Sequence, residues 1–232
     1  MDQYLIGAII AGLGALAGVL AINVWQASRA RSAARAGYLD LCRPLFDDVA
    51  VRPAATGFPR LSGRYGGQVF DIQVVPDTLT FRKLPALWVL VTLPEALPLR
   101  ATFDIMIRPT GVEPFSHFQK LPAQVELPEG FPEDSAIRSD APAHLPDEQM
   151  LRRHLHVFDD PLMKEMVLSP KGARLVFLAE EAQRGRYLIY RDAEMGMEPL
   201  PPARLEKQLD ALLALREDVL SPADPEPRSL SA

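Results

Sequence analysis

The chain has 232 residues, room for one good-sized domain or for one domain with an appendage. Its apolar share of 48% and charged share of 24% are those of a folded protein and argue against global disorder. A formal net charge of −5, with acids and bases interspersed, excludes the basic footprint of a nucleic-acid binder. Cys42 is the single cysteine, so an internal disulfide framework is excluded as well.

The first element is an apolar run. No charged residue occurs in the 26 positions from Gln3 to Ser28, where a membrane-spanning helix needs about 20. Tyr4 and Trp25 bracket it, 21 residues apart. At 1.5 Å per residue that is roughly 32 Å, which sets one aromatic ring at each interface of a bilayer core. Gly12-Leu13-Gly14-Ala15-Leu16-Ala17 matches a dinucleotide-binding fingerprint by letters alone. The second strand and the acid that this motif needs about 20 residues on are missing, so no cofactor is expected. A cleavable signal peptide would have a basic start and a shorter core; this start is Met-Asp-Gln-Tyr.

The expectation is therefore a retained transmembrane helix over residues 1–28. Arg29, Arg31 and Arg35 follow it at once, whereas only Asp2 and the terminal amine precede it. Positive residues stay on the cytoplasmic side, which predicts the N-terminus outside, the rest of the chain in the cytoplasm and anionic lipid beside the arginines. Gly7, Ala11, Gly14 and Gly18 recur at three- and four-residue spacings on one helix face. Small residues there let helices approach closely, through a second copy or a partner membrane protein; glycine is also simply common in spans.

A juxtamembrane helix is expected next, over about 29–50 within a segment reaching residue 56, with Pro44 as a possible kink. A soluble domain over 57–220 follows. Its first feature is the pair of extended runs around Gly66-Gly67, a two-residue hairpin turn. Phe70, Ile72 and Val74 alternate with Asp71 and Gln73, giving one buried and one wet face. Ala86–Leu93, apolar on both faces, predicts a central strand. Ala101, Phe103, Ile105 and Ile107 form one face of a further strand, and the runs together predict an antiparallel meander.

Seven prolines between Pro109 and Pro146 predict a long irregular connection. Pro146–Phe158 reads as a helix with acids in its first turn. Ala173–Ala193 reads as a second hairpin turning near Gly185, with Glu181 opposite Arg186. A last helix over about 202–219 carries a stripe of Leu205, Leu209, Leu212, Leu213, Val219 and Leu220. Residues 221–232 read as a disordered tail. The fold class is α+β: an antiparallel sheet, meander plus hairpin, with packed helices behind one N-terminal transmembrane helix.

Motifs for chemistry are sparse. His154 and His156, with Asp160, are the best metal candidates, but on a helix their directions diverge by about 200°. They read as surface histidines on a polar face. Neither Ser139-Asp140 nor Cys42 has a signature catalytic partner, and no phosphate-binding loop occurs. Arginine outnumbers lysine 20 to 5 and Asn23 is the only asparagine, a bias that reads as bacterial. The runs Ile137–Pro142 (IRSDAP), Met166–Glu180 (MVLSPKGARLVFLAE) and the Gly63–Ile72 hairpin (GRYGGQVFDI) resemble a pattern in uncharacterised bacterial domains anchored at their N-termini. That resemblance implies fold and location and brings no catalytic residues. The expected role is a binding or scaffold domain held at a membrane. The alternatives are a tethered hydrolase using His154, His156 or Asp160, and a lipid- or small-ligand-binding domain.

Overall fold

The computed structural model describes residues 2–78, 84–182, 184–185, 187 and 195–221. Nine strands form one antiparallel sheet, joined by three helices among the described residues. The strands are β1 (Asp47–Pro53), β2 (Pro59–Tyr65), β3 (Gln68–Asp77), β4 (Ala86–Leu93), β5 (Phe103–Ile107), β6 (Ala123–Val125), β7 (Ser135–Ser139), β8 (Met163–Ser169) and β9 (Gly172–Glu181). The helices are α1 (Asp2–Ala36), α2 (Glu148–His154) and α3 (Pro202–Leu220). In space the strands run β1-β2-β3-β4-β9-β8-β5-β7-β6.

The long apolar helix is present, and it extends to Ala36. The helix expected over 29–50 is corrected beyond that point. Gly37 ends α1, Asp40–Leu45 forms a 3₁₀ turn containing Pro44, and Asp47–Pro53 is a strand. Proline lacks the amide proton that a continuing helix would use. Ala50 and the β-branched Val51 pair instead with β2, Val51 lying opposite Leu61. Tyr38, Leu39 and Cys42 are buried in the main core.

The meander holds from β1 to β4. Gly66 and Gly67, at φ of 57° and 79°, make the turn between β2 and β3, a conformation that glycine adopts without strain. β4 is central as expected, but its second neighbour is β9. Pro94 and Pro98 follow β4 and prevent a tight return, so β5 lies beyond β8, paired to β7 and β8. β9 forms its hairpin backwards with β8, Ser169 opposite Gly172. Gly172 is required there, since an added Cβ would stand 2.1 Å from the carbonyl oxygen of Leu93. With β4 and β8 on its two sides, β9 has no free edge for the second arm expected over 186–193. Arg184 and Gly185 are helical, and Arg186 and 188–193 lie outside the described residues, as does 222–232 of the tail. Two short strands, β6 and β7, occupy the proline-rich connection that read as irregular.

The two faces of the sheet are covered differently. One face, with Leu61, Phe70, Ile72, Val91, Phe103, Ile105, Leu175 and Phe177, packs under α2, α3 and the 3₁₀ segment. α3 buries Leu205, Leu209, Leu212, Leu215 and Val219. Leu220 of the expected stripe is 40% exposed, because it follows the buried Val219 directly and so sits about 100° further round the helix. Tyr65 donates to Asp210 at 2.7 Å, and Arg216 grips Glu95 with two hydrogen bonds, fixing α3 at its middle and towards its C-terminal end. The opposite face carries a smaller apolar group, Leu90, Met106 and Val176, under Phe115 and Phe118 of the segment after β5.

Candidate functional site

The long helix and its junction come first. Tyr4 and Trp25 are exposed on α1, together with Ile6, Leu13, Leu16, Val19 and Ile22. The apolar side chains point outward all round, unlike those of a core helix. Gly7, Gly14 and Gly18 are open, with nothing within 4 Å of an added Cβ, and Ala11 is likewise exposed. Arg29 sits over the Trp25 ring at 5.3 Å, and Arg31 is half-buried. Arg35 reaches the domain, its guanidinium 5.7 Å from the centre of the Phe58 ring. Tyr38 packs edge-on against Phe58 at 5.6 Å and accepts the Leu200 amide at its carbonyl, 2.9 Å. Cys42 donates its thiol to the Leu200 carbonyl, and burial pushes its pKa up to about 11. A thiol so placed is packing, not a nucleophile.

An open cleft of about 420 Å³ lies beside this junction, lined by Tyr38, Glu180, Met197, Leu200 and Arg204 among others. Two of its charged groups, Glu180 and Arg204, are already engaged. Glu180 accepts the Gly196 amide at 2.8 Å, and Arg204 donates to the carbonyls of Leu178 and Ala179 and covers the Phe177 ring. Burial, then Glu180, raise the Tyr38 hydroxyl far above its ordinary value.

The histidines do not form one site. His154 is buried, not on the surface as its sequence context suggested, because α3 crosses α2 there. Its Nε2 lies 2.9 Å from Asp218 Oδ2, which also accepts Arg153 Nε at 2.9 Å. The bond from Arg153 holds the Asp218 carboxyl below the usual range, against some burial and with help from His154. His156 is exposed and donates Nδ1–H to the Arg153 carbonyl. The two ring centres are 6.4 Å apart. Asp160 accepts the Leu162 amide at 2.9 Å and caps a turn. Among the described residues no three His, Cys, Asp or Glu side chains gather closely enough to hold a metal ion. Asp140 likewise serves structure, accepting the amide and hydroxyl of Thr102.

The densest polar constellation is one the sequence did not reveal. Asp104 of β5 and Glu165 of β8, 2% and 0% exposed, lie on the second sheet face near Arg174 of β9. Glu165 Oε2 is 3.6 Å from the Arg174 guanidinium, and Glu165 Oε1 accepts the hydroxyl of Ser116 from the covering segment. Asp104 Oδ1, Glu165 Oε2, Arg174 Nε and Trp88 Nε1 are buried without a hydrogen-bond partner. Such orphans are rare in folded proteins, and each carries about 1–3 kcal/mol of unrelieved desolvation. Burial, then the Glu165 charge, push the Asp104 carboxyl up to about 9, against Arg174. Burial also raises Glu165, against Arg174 and Ser116. Burial thus favours the protonated form in both carboxyls, beside a single guanidinium. The alternation of Asp104 with Phe103 and Ile105 placed it on a wet face, and only the segment folded over β5 makes that face dry.

Comparison with protein-family models, curated proteins and solved structures finds no match.

Proposed function

We propose that this is a single-pass, membrane-anchored protein whose cytoplasmic α+β domain acts by binding, as an accessory or scaffold component at a bacterial inner membrane. One observation carries this reading. A 35-residue helix presents large apolar side chains outward on every side and enters the domain core directly at Tyr38. At about 25 cal/mol per Å², so much exposed apolar surface is strongly unfavourable in water and favourable among acyl chains. The arginines at its C-terminal end support the N-out orientation. An apolar core longer than that of a secretory signal supports retention over cleavage. The hydrolase alternative loses its specific support, because His154, His156 and Asp160 are each committed to a separate structural bond.

Membrane fractionation of the full chain tests the anchor: it should stay in the membrane pellet through alkaline carbonate and be released by detergent. Recovery in the soluble fraction without detergent refutes it. A reporter active only in the cytoplasm, fused after Ala232, should be active; activity solely from a periplasmic reporter refutes the orientation. Crosslinking in intact membranes then asks for the partner, whether a second copy meeting α1 along Gly7, Ala11, Gly14 and Gly18 or another membrane protein.

A further inference from the structure

The segment between β5 and β6 crosses the second sheet face as a strap, and its attachments are few. Phe115 stacks on Trp88 with ring centres 4.7 Å apart, and Phe118 is buried beside it under the Arg138 guanidinium. Ser116 donates to Glu165, while Lys164 of β8 lies 3.7 Å from Glu113 and donates to the carbonyls of Ile107 and Arg108. Beneath the strap lie the unpartnered atoms of Asp104, Glu165 and Arg174.

We propose that this strap is a charge-controlled latch: it stays shut while the Asp104–Glu165 pair holds one negative charge against Arg174, and lifts off Trp88 when the pair holds two. The inference is independent of the membrane anchor.

Around the pair, β8 supplies Glu165 and Lys164, β9 supplies Arg174, and β7 supplies Arg138, which is spent on the Leu121 carbonyl at 2.9 and 2.6 Å. The strap supplies Glu113, Ser116, His117 and Lys120. Burial works to raise the Glu113 carboxyl, but the amide and hydroxyl of Thr110, with Lys164, more than offset it, so Glu113 is ionised and matched to Lys164. Burial, then Lys120 and Arg174, hold His117 below its ordinary value, so it is neutral in the alkaline range. With Asp104 protonated, Arg174 balances Glu165. Once Asp104 ionises, two buried carboxylates face one guanidinium. Desolvation then favours admitting water through the strap, which among the described residues makes no backbone–backbone hydrogen bond to the sheet between Gly111 and Leu121. Lifting it uncovers Trp88, Leu90, Met106 and Val176, an apolar face on the middle of the sheet.

Trp25→Phe leaves Trp88 as the sole tryptophan. Acrylamide quenching of its fluorescence, in the full chain in detergent micelles, reads the latch directly. Quenching should rise about twofold as the pH climbs through the range in which Asp104 loses its proton, while far-UV circular dichroism stays constant, the mark of local rather than global opening. Asp104→Asn in the same background should abolish the rise, and Ser116→Ala should increase quenching already at pH 7. Three results overturn the proposal: quenching that stays flat to about pH 10, a rise that persists in Asp104→Asn, or a rise that accompanies loss of the dichroism signal. Should Asp104→Asn fail to fold, Glu165→Gln removes the other carboxylate of the pair, and persistence of the alkaline rise there overturns the latch equally.

Discussion

The two faces of the sheet are built from the same strands and obey opposite rules. On the face under α3, Phe70, Ile72, Leu175, Phe177, Leu209 and Leu212 meet in one apolar cluster, and the covering helices add the buried polar side chains of Gln208 and His154. On the other, Met106, Leu90 and Val176 share their layer with Asp104, Glu165 and Arg174, under an irregular strap. A helix satisfies its own backbone and brings an apolar stripe to a sheet, so a helical cover favours a dry layer. An irregular strap brings isolated aromatic rings and hydroxyls, and the strand residues beneath it stay mixed. The first face supplies stability, whereas the second holds charge that can be changed.

The contrast is open to attack, beginning where the effect is largest. Phe177→Ala, on the dry face and fully buried, should lower stability by about 3–5 kcal/mol, read as a shifted urea midpoint of the full chain in micelles. A loss below about 1 kcal/mol would mean that this face is not the main core. Asp104→Asn should act in the other direction and raise stability at pH 8 by at least about 1 kcal/mol, since it removes a group whose ionisation burial opposes. The sign follows from its protons. The folded pKa of Asp104, about 9, lies above the unfolded value, so its contribution is full in acid and falls as the pH rises through that interval. Urea midpoints of the natural protein should decline more between pH 5 and pH 8 than those of Asp104→Asn; parallel curves would remove the neutral acid from the second face.

On the helical side the pH dependence has the opposite sign. Asp218, held below its usual range, contributes above the ordinary carboxylate range, and that contribution is lost as the pH falls through its folded pKa. Asp218→Asn should therefore cost about 1 kcal/mol at neutral pH, a figure kept small because the side chain is 34% exposed, and little at pH 2, by the same urea measurement. The smallest effect belongs at the exposed edge. Arg60 is paired with Asp71 at 2.7 Å but is 55% exposed, and Arg60→Ala should shift stability by less than about 1 kcal/mol. A larger loss would make that edge part of the core.

What the sequence disclosed follows the same division. The Gly66-Gly67 hairpin, the central β4 and the stripe of α3 were all legible, because each is a local period with a local punctuation mark. The neighbour of β4 was not, since β9 lies some 80 residues away in sequence and any apolar strand would fit that slot. The run from Ala173 to Ala193 suggested a forward hairpin because nothing local reports that both edges of β9 are already taken. Val49 reads as helical through the alanines and arginines before it, whereas the structure changes already at Gly37, where α1 ends. His154 looked solvated because its partner, Asp218, sits on another helix. Asp104 alternates as a surface residue should, and only a cover supplied by Phe115 and Phe118 reverses its environment. Buried charge is a tertiary property with no periodic signature, so the polar constellation could not be read in advance.

The join between Ala36 and Tyr38 has a mechanical consequence. Arg35 lies on Phe58, and three residues later, at Tyr38, the chain is pinned by Leu200, so no slack separates rod from body. A protein on a flexible tether samples every attitude; one clamped in this way inherits its pose from the tilt and rotation of its shaft. Given the anchoring proposed above, a change in bilayer thickness that leans α1 would swing the whole sheet as a rigid paddle, and a companion recognising one flank would meet it only at certain inclinations.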